Sequence, residues 1–292
     1  YSGGLRTTAE VIYENNQGFS QFGYSVATAG DINGDGFSDV ICGAYNYDNP
    51  SSNEGAAFVY LGSAIGMSAS SNWNAEGNQV SANFGYSVST AGDVNGDGYS
   101  DVIIGAYNFD NGQTQEGAAF VFHGSANGLS TFSSWNAEGN QASAEFGNSV
   151  STAGDVNGDG YSDVIVGAFL YDNGQTDEGI SFVYFGSASG LSLTSNWTAE
   201  GNQADARYGF SLSTAGDVNG DGYSDVIVGA PYFHNGQTDE GRTFVYYGSA
   251  SGLSLTSNWS AEGNQLQALF GESVSTAGDV NGDGYSDVII GA

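Results

Sequence analysis

The residues best equipped for chemistry are carboxylates and amides, and they come in sets. The segment Asp-Ile-Asn-Gly-Asp-Gly-Phe-Ser-Asp at 31–39 puts side-chain oxygens at its positions 1, 3, 5 and 9, with glycine at position 6. Asp-Val-Asn-Gly-Asp-Gly-Tyr-Ser-Asp repeats that arrangement at 93–101, 155–163, 217–225 and 279–287. Calcium takes about six to eight hard oxygen ligands, and a tight loop can supply most of them. Glycine at position 6 permits a sharp turn that brings the position-7 carbonyl inward. The candidate ligands are therefore Asp31, Asn33, Asp35, the main-chain carbonyl of Phe37 and Asp39 in the first loop. In the second they are Asp93, Asn95, Asp97, the Tyr99 carbonyl and Asp101, and in the third Asp155, Asn157, Asp159, the Tyr161 carbonyl and Asp163. The fourth offers Asp217, Asn219, Asp221, the Tyr223 carbonyl and Asp225, and the fifth Asp279, Asn281, Asp283, the Tyr285 carbonyl and Asp287. One Ca²⁺ per loop, five in all, is the expectation. Magnesium suits the loops less, because it dehydrates reluctantly and demands stricter geometry.

An EF-hand also begins Asp-x-Asn-x-Asp-Gly, but it needs a bidentate Glu at position 12 and a helix on either side. Position 12 here is Cys42, Ile104, Val166, Val228 or Ile290, and the flanks are rich in β-branched residues. Of the 33 acidic residues, 15 lie in the loops, and five divalent ions would bring the formal charge from −30 to −20. Three carboxylates within nine residues repel one another, so metal binding contributes to folding free energy.

The loops must be carried by something that also repeats. The first Asp of each returns every 62 residues, and the surrounding Ser-Thr-Ala-Gly…Ser-Asp-Val-Ile-x-Gly-Ala returns with it. Within one period the alternating stretch 84–92, the apolar run 102–109, the stretch 117–125 and the more polar 133–141 read as four short strands. Asn-Gly in 110–113 marks a hairpin between the second and third. Four strands in about 60 residues, with no helical periodicity, describe a propeller blade. The fold class is all-β: a single propeller domain over 1–292 of about five four-stranded blades. Its repeat register is 22–83, 84–145, 146–207, 208–269, and 270–292 together with 1–21. The chain is 18 residues short of five whole periods, and the shortfall matches residues 45–62, which carry a third strand. The last blade therefore needs completing, by the N-terminal strand or by a neighbouring chain.

The bulk composition narrows the functional classes. Lys is absent and Arg occurs only at 6, 207 and 242. A surface of that charge repels nucleic acid and anionic membranes. No apolar run is long enough for a membrane-spanning helix. Cys42 is the only cysteine and sits where the other repeats have Ile or Val, so it reads as a small buried apolar residue. The chain opens at Tyr1 with no signal-peptide pattern, and reads as a processed product or a piece of something longer.

Other recurring residues have plainer roles. Trp73, Trp135, Trp197 and Trp259 share a register that Val11 occupies in the first copy, which favours packing over sugar stacking. Glu54, Glu116, Glu178 and Glu240 open the third strands and suit hydrogen bonding to a nearby turn more than a second metal site. His123 and His234 occupy non-equivalent places, and no repeat contains a nucleophile, base and acid together. An enzyme is not expected, and no catalytic residue is assigned.

Phe84-Gly85, the calcium-type loop, and Gly105-Ala106 together resemble the FG-GAP repeat of integrin α-subunit propellers and of many bacterial secreted proteins. Phe-Gly recurs at 22–23, 146–147 and 270–271, with Tyr208-Gly209 as a variant, and Gly229-Ala230-Pro231 is the literal triplet. The resemblance covers essentially the whole chain, and its near-identical copies look closer to the bacterial kind. It implies a calcium-binding propeller on a secreted or cell-surface protein. Integrin propellers have seven blades and only some carry calcium, whereas five repeats are seen here and all have the loop. The expected function is a non-catalytic adhesive role, with a protein or glycan ligand. The alternative is a structural protein whose copies assemble into a fibre or surface layer through an open blade edge.

Overall fold

The computed structural model describes residues 11–292. Each period folds as a meander of short antiparallel strands, with turns wherever Gly, Asn and Asp cluster. The first sheet is β1 (Val26–Gly30), β2 (Asp39–Ala44), β3 (Ala56–Tyr60) and β4 (Trp73–Glu76), hydrogen-bonded in that order. The second is β5 (Phe84–Gly92), β6 (Asp101–Ala106), β7 (Ala118–Phe122) and β8 (Trp135–Glu138). The third is β9 (Ser149–Gly154), β10 (Asp163–Ala168), β11 (Ile180–Tyr184) and β12 (Trp197–Glu200). The fourth is β13 (Ser211–Gly216), β14 (Asp225–Ala230), β15 (Arg242–Tyr246) and β16 (Trp259–Glu262). The last has two strands among the described residues, β17 (Ser273–Gly278) and β18 (Asp287–Gly291). There is no helix among the described residues, and the architecture is a β-propeller of about five blades.

Core sits between successive sheets, because the second strand of each blade is apolar on both faces. At the junction of the second and third sheets, Val94, Ile103, Val121 and Trp135 pack against Phe146, Val150, Val164 and Val166. The same junction recurs between the first and second sheets and between the third and fourth. Apolar contact of this kind is the main favourable term in folding.

The Phe-Gly and Gly-Ala motifs explain themselves at these junctions. A Cβ added to Gly43 would lie 1.9 Å from the carbonyl oxygen of Gly85, and one on Gly105 would lie 1.9 Å from that of Gly147. Gly167 faces Gly209 and Gly229 faces Gly271 at similarly short range. The two glycines of each pair let neighbouring blades meet backbone to backbone.

The tryptophans are pins between blades. The Nε1–H groups of Trp73, Trp135 and Trp197 donate to the carbonyls of Ser130, Ser192 and Ser254, each at 2.9 Å. Their rings meet Phe122, Tyr184 and Tyr246 edge-on. With both edge and face engaged, Trp135 and Trp197 are not platforms for a sugar. In the first copy the place belongs to Tyr13, not to Val11. The Tyr13 hydroxyl donates to the Ser68 carbonyl at 2.7 Å and its ring packs on Tyr60. Residues 11–21 thus lie against the first sheet and form no strand there, although a fourth strand for the last blade was expected from them. The part of that expectation resting on residues 1–10 lies outside the described residues. Trp135→Phe will lose the bond to Ser192 and part of the ring contact. A loss of about 1–2 kcal/mol is expected in urea unfolding, and no loss would mean the pin is idle.

Candidate metal loops and the opposite face

Each calcium-type loop joins the first and second strands of its blade, so β-meander topology puts all five at one end of the array. In the first, Asp31 Oδ1 accepts from the Gly34 and Asp35 N–H groups and Oδ2 from Gly36 N–H, at 2.8–3.1 Å. Asn33 Oδ1 accepts from Asp35 N–H and Asp35 Oδ1 from Phe37 N–H, both at 3.0 Å. The same bonds recur around Asp93, Asp155, Asp217 and Asp279. The bend is held by side-chain acceptors, each with a further lone pair to offer.

The position-9 aspartate is the anchor. Asp39, Asp101, Asp163 and Asp225 are fully buried. Asp101 takes Val94 N–H on one oxygen at 2.9 Å and Gly124 N–H on the other at 2.8 Å, tying the loop to the turn after β7. Burial pushes the Asp101 carboxyl up to about 7, Asp97 and Asp93 add to the rise, and the two backbone bonds oppose it. Burial likewise takes Asp163 to about 7 and Asp225 to about 6. A buried carboxylate among acidic neighbours needs a positive charge, and the donor set is all oxygen. The residues therefore fit a hard divalent cation in type. Among the described residues no three Asp, Glu, His or Cys side chains already stand around one metal position.

The loops are also linked to one another. Ser100 N–H donates to the Asp31 carbonyl at 2.9 Å, its Oγ accepts Asp31 N–H at 3.2 Å, and Ser125 N–H donates to the Ile32 carbonyl at 3.1 Å. The Tyr99 ring covers Gly34 so closely that a Cβ there would lie 2.7 Å from it. Ser162 and Tyr161 treat Asp93 and Gly96 in the same way, and Ser224 and Tyr223 treat Asp155 and Gly158. Positions 7 and 8 of the second to fifth loops thus clamp the loop before them. Aromatic at 7 and Ser at 8 recur in every copy, which was the available signal, but the partner lies outside the repeat. Ser162→Ala is expected to speed hydrogen exchange in 93–98 several-fold while leaving 217–222 unchanged, because Asp93 N–H loses its acceptor, worth about 1 kcal/mol. A change confined to 155–163 would contradict the clamp.

The recurring glutamates brace turns. Glu116 Oε1 accepts Asn111 N–H at 2.6 Å and Gln113 N–H at 3.2 Å, and Glu178 does the same for Asn173 and Gln175. Glu54 occupies the same register and is as buried. Cys42 is a buried free thiol whose pKa burial raises. His123 stands beside the second loop, with Nδ1 3.3 Å from Asn95 Nδ2. His234 braces a turn by accepting Asp239 N–H.

The end away from the loops is where the repeats differ. Tyr24, Tyr86, Asn148, Phe210 and Glu272 share one register, and Tyr45, Tyr107, Phe169 and Pro231 another. Tyr24, Tyr45, Tyr86 and Tyr107 cluster in tilted and edge-on contacts with ring centroids 4.4–5.3 Å apart. Arg207 lies over Tyr232 and beside Phe169. Burial pushes the Glu145 carboxyl up to about 7, against the pull of Arg207. Gln21, Asn83, Glu145, Arg207 and Leu269 share one register at positive φ, near 55°. Non-glycine residues rarely accept that region.

The repeat is matched among known proteins. The FG-GAP repeat profile matches residues 22–60, 84–122, 146–184, 208–246 and 270–292. Integrin alpha-V of Gallus gallus is 37% identical over 221 residues, covering 72% of this chain and 20% of the relative. Integrin alpha-PS2 of Drosophila melanogaster is 34% identical, covering 71% of this chain and 15% of the relative. Integrin alpha-4 of Xenopus laevis is 34% identical, covering 71% and 19%. The chain spans a fifth or less of the length of these relatives. Rhamnogalacturonan lyase YesW superposes on 88% of this chain and 56% of that one at 15% identity, with a TM-score of 0.44, too low to support any argument.

Proposed function

Because the chain belongs to the FG-GAP repeat family, we propose that it is a calcium-binding propeller of extracellular or cell-surface setting, with an adhesive, non-catalytic role. Each loop would hold one Ca²⁺ through its side chains at positions 1, 3, 5 and 9 and the position-7 carbonyl, as set out for Asp93, Asn95, Asp97, Tyr99 and Asp101. The observation that carries this reading is the buried position-9 aspartate, set among carboxylates with no cationic side chain beside it among the described residues. The ion would supply the missing positive charge and fasten the loop. The integrin relatives support an adhesive role, and a near-identical scaffold with divergent residues at the end opposite the loops suits ligand recognition. Equilibrium dialysis against calcium tests the metal reading. About five ions per chain are expected, and fewer than one would remove its basis.

A second reading, assembly of copies, has one observation in its favour. Val26 in the first blade, Trp259 in the fourth, and Val280 and Ile289 in the fifth are exposed, whereas their counterparts Val150, Trp135, Val156 and Ile165 are buried. Light scattering in calcium separates the two: a monomer mass supports the adhesive module, and large assemblies support the structural one.

A further inference from the structure

Three equivalent cavities lie along the outer rim, one at each junction between successive four-stranded sheets. The first, about 480 Å³, is formed by residues 74–78 and, from the next sheet, by Phe109, Phe120, Phe122 and the loop 131–133. The second, also about 480 Å³, pairs residues 136–140 with Tyr171, Phe182, Tyr184 and 193–195. The third, about 490 Å³, pairs residues 198–203 with Phe233, Phe244, Tyr246 and 255–257. These sizes are typical of small-molecule sites.

The linings share one character, to which the third cavity adds Arg242, its guanidinium 5.2 Å from the Phe233 ring centre and 5.0 Å from that of Phe244. Aromatic rings form the floor, and amides, hydroxyls and one carboxylate form the walls. That carboxylate is positioned: Asn49 donates to Glu76 at 3.0 Å, Asn111 to Glu138 at 2.8 Å and Asn173 to Glu200 at 2.7 Å. Each carboxylate keeps lone pairs free for another donor. At each mouth stands one large apolar side chain almost wholly in solvent: Phe132, Leu193 and Leu255 are 84–89% exposed. The fold does not need it, since the first copy makes the same turn with Ala69 and Ser70. The order changes, Thr131-Phe132 against Leu193-Thr194 and Leu255-Thr256, yet each mouth keeps one apolar and one hydroxyl side chain.

We propose that these three cavities are subsites for neutral saccharides, each taking a sugar unit or a short oligosaccharide. A pyranose presents a C–H face to an aromatic floor and equatorial hydroxyls to a fixed carboxylate and amides, which is the combination present. The wall carboxylate, on a chain of charge −30, repels uronates and sulfated glycans at the first two cavities, and in the third Arg242 is already paired with Glu262 at 3.5 Å. A lipid chain would leave the polar wall unpaired, at a cost. Three like subsites on one rim bind a repeating glycan with avidity even when each is weak. This gives the adhesive reading a ligand class at a place apart from the metal loops, so its failure would leave the calcium reading untouched.

The test is saturation-transfer NMR in calcium with cellotriose, mannotriose and chitotriose as probes and trigalacturonate as the acidic control. Transfer from Phe and Tyr protons to at least one neutral probe is expected, with about three sites per chain on titration. Phe132→Asp, Leu193→Asp and Leu255→Asp replace exposed side chains, so folding is retained. Each is expected to remove one site, and the three together to weaken binding at least tenfold. The proposal is overturned by no transfer from any neutral probe at about ten millimolar, the weak end of specific binding. It is equally overturned by binding that the triple variant leaves unchanged, or by preference for the acidic probe. Binding of an unstructured peptide pool without any sugar response would assign the cavities to peptides and overturn it too.

Discussion

Excess chelator will lower the melting temperature by about 20–30 °C, a shift that follows from roughly 12 kcal/mol of lost binding. One site filled at a hundred times its dissociation constant adds about 2.7 kcal/mol, and on the proposed reading about four to five sites would act. Net stabilities of folded domains are only about 5–15 kcal/mol, so the chelated chain should be at or past its unfolding midpoint at room temperature. Two causes contribute: the ions' own bonds and the neutralisation of three carboxylates per loop. Half-molar sodium chloride screens surface repulsion but a monovalent ion does not replace a divalent one at the loop oxygens, so it should restore little of the loss. Differential scanning calorimetry with and without calcium reads the result. A shift of only a degree or two would refute the loops as metal clips.

Gly105→Ala is expected to cost at least about 3 kcal/mol, the upper range for overpacking a full core. The new methyl would sit 1.9 Å from the Gly147 carbonyl oxygen and 2.3 Å from Ser87 Oγ. Neither can retreat easily, because β6 lies between two strands of its own sheet and against the next blade. Ser87 Oγ itself donates to that carbonyl at 2.7 Å, so the clash also breaks a bond across the junction. Gly18→Ala, with open space around it and an ordinary backbone, is the control and should cost little. Urea unfolding compares them, and a cost below about 1 kcal/mol at position 105 would mean the blades can part without penalty.

Much of this was legible in the letters. The loops, their register and the four strands per period follow from local chemistry, since turn residues, β-branched runs and ligand spacing act within a few positions. What escaped acts between repeats. Nothing in the spacing of Tyr99 and Ser100 says that they serve Asp31 and Gly34, because periodicity states that environments are alike and not which neighbour supplies them. Tyr13 illustrates the same limit at the start of the array. Alignment places Val11 opposite the tryptophans, yet a ring with a hydroxyl at position 13 reaches the same carbonyl from another backbone position. The Phe-Gly and Gly-Ala glycines were read as a family mark, and their purpose is visible only when two blades meet. The rim cavities combine residues from two periods, and no single copy displays them.

The clamp on each metal loop has a consequence for how the chain is made. Asp31 and the serine that holds it, Ser100, are 69 residues apart, and the same interval separates Asp93 from Ser162. A growing chain therefore exposes each of the first four loops complete in its donors well before the residues that fasten it have been synthesised. None of those clamps can close until the next repeat exists, so locking can run no further than one repeat behind synthesis. The order of locking is written into the direction of translation, from the amino end towards the carboxyl end.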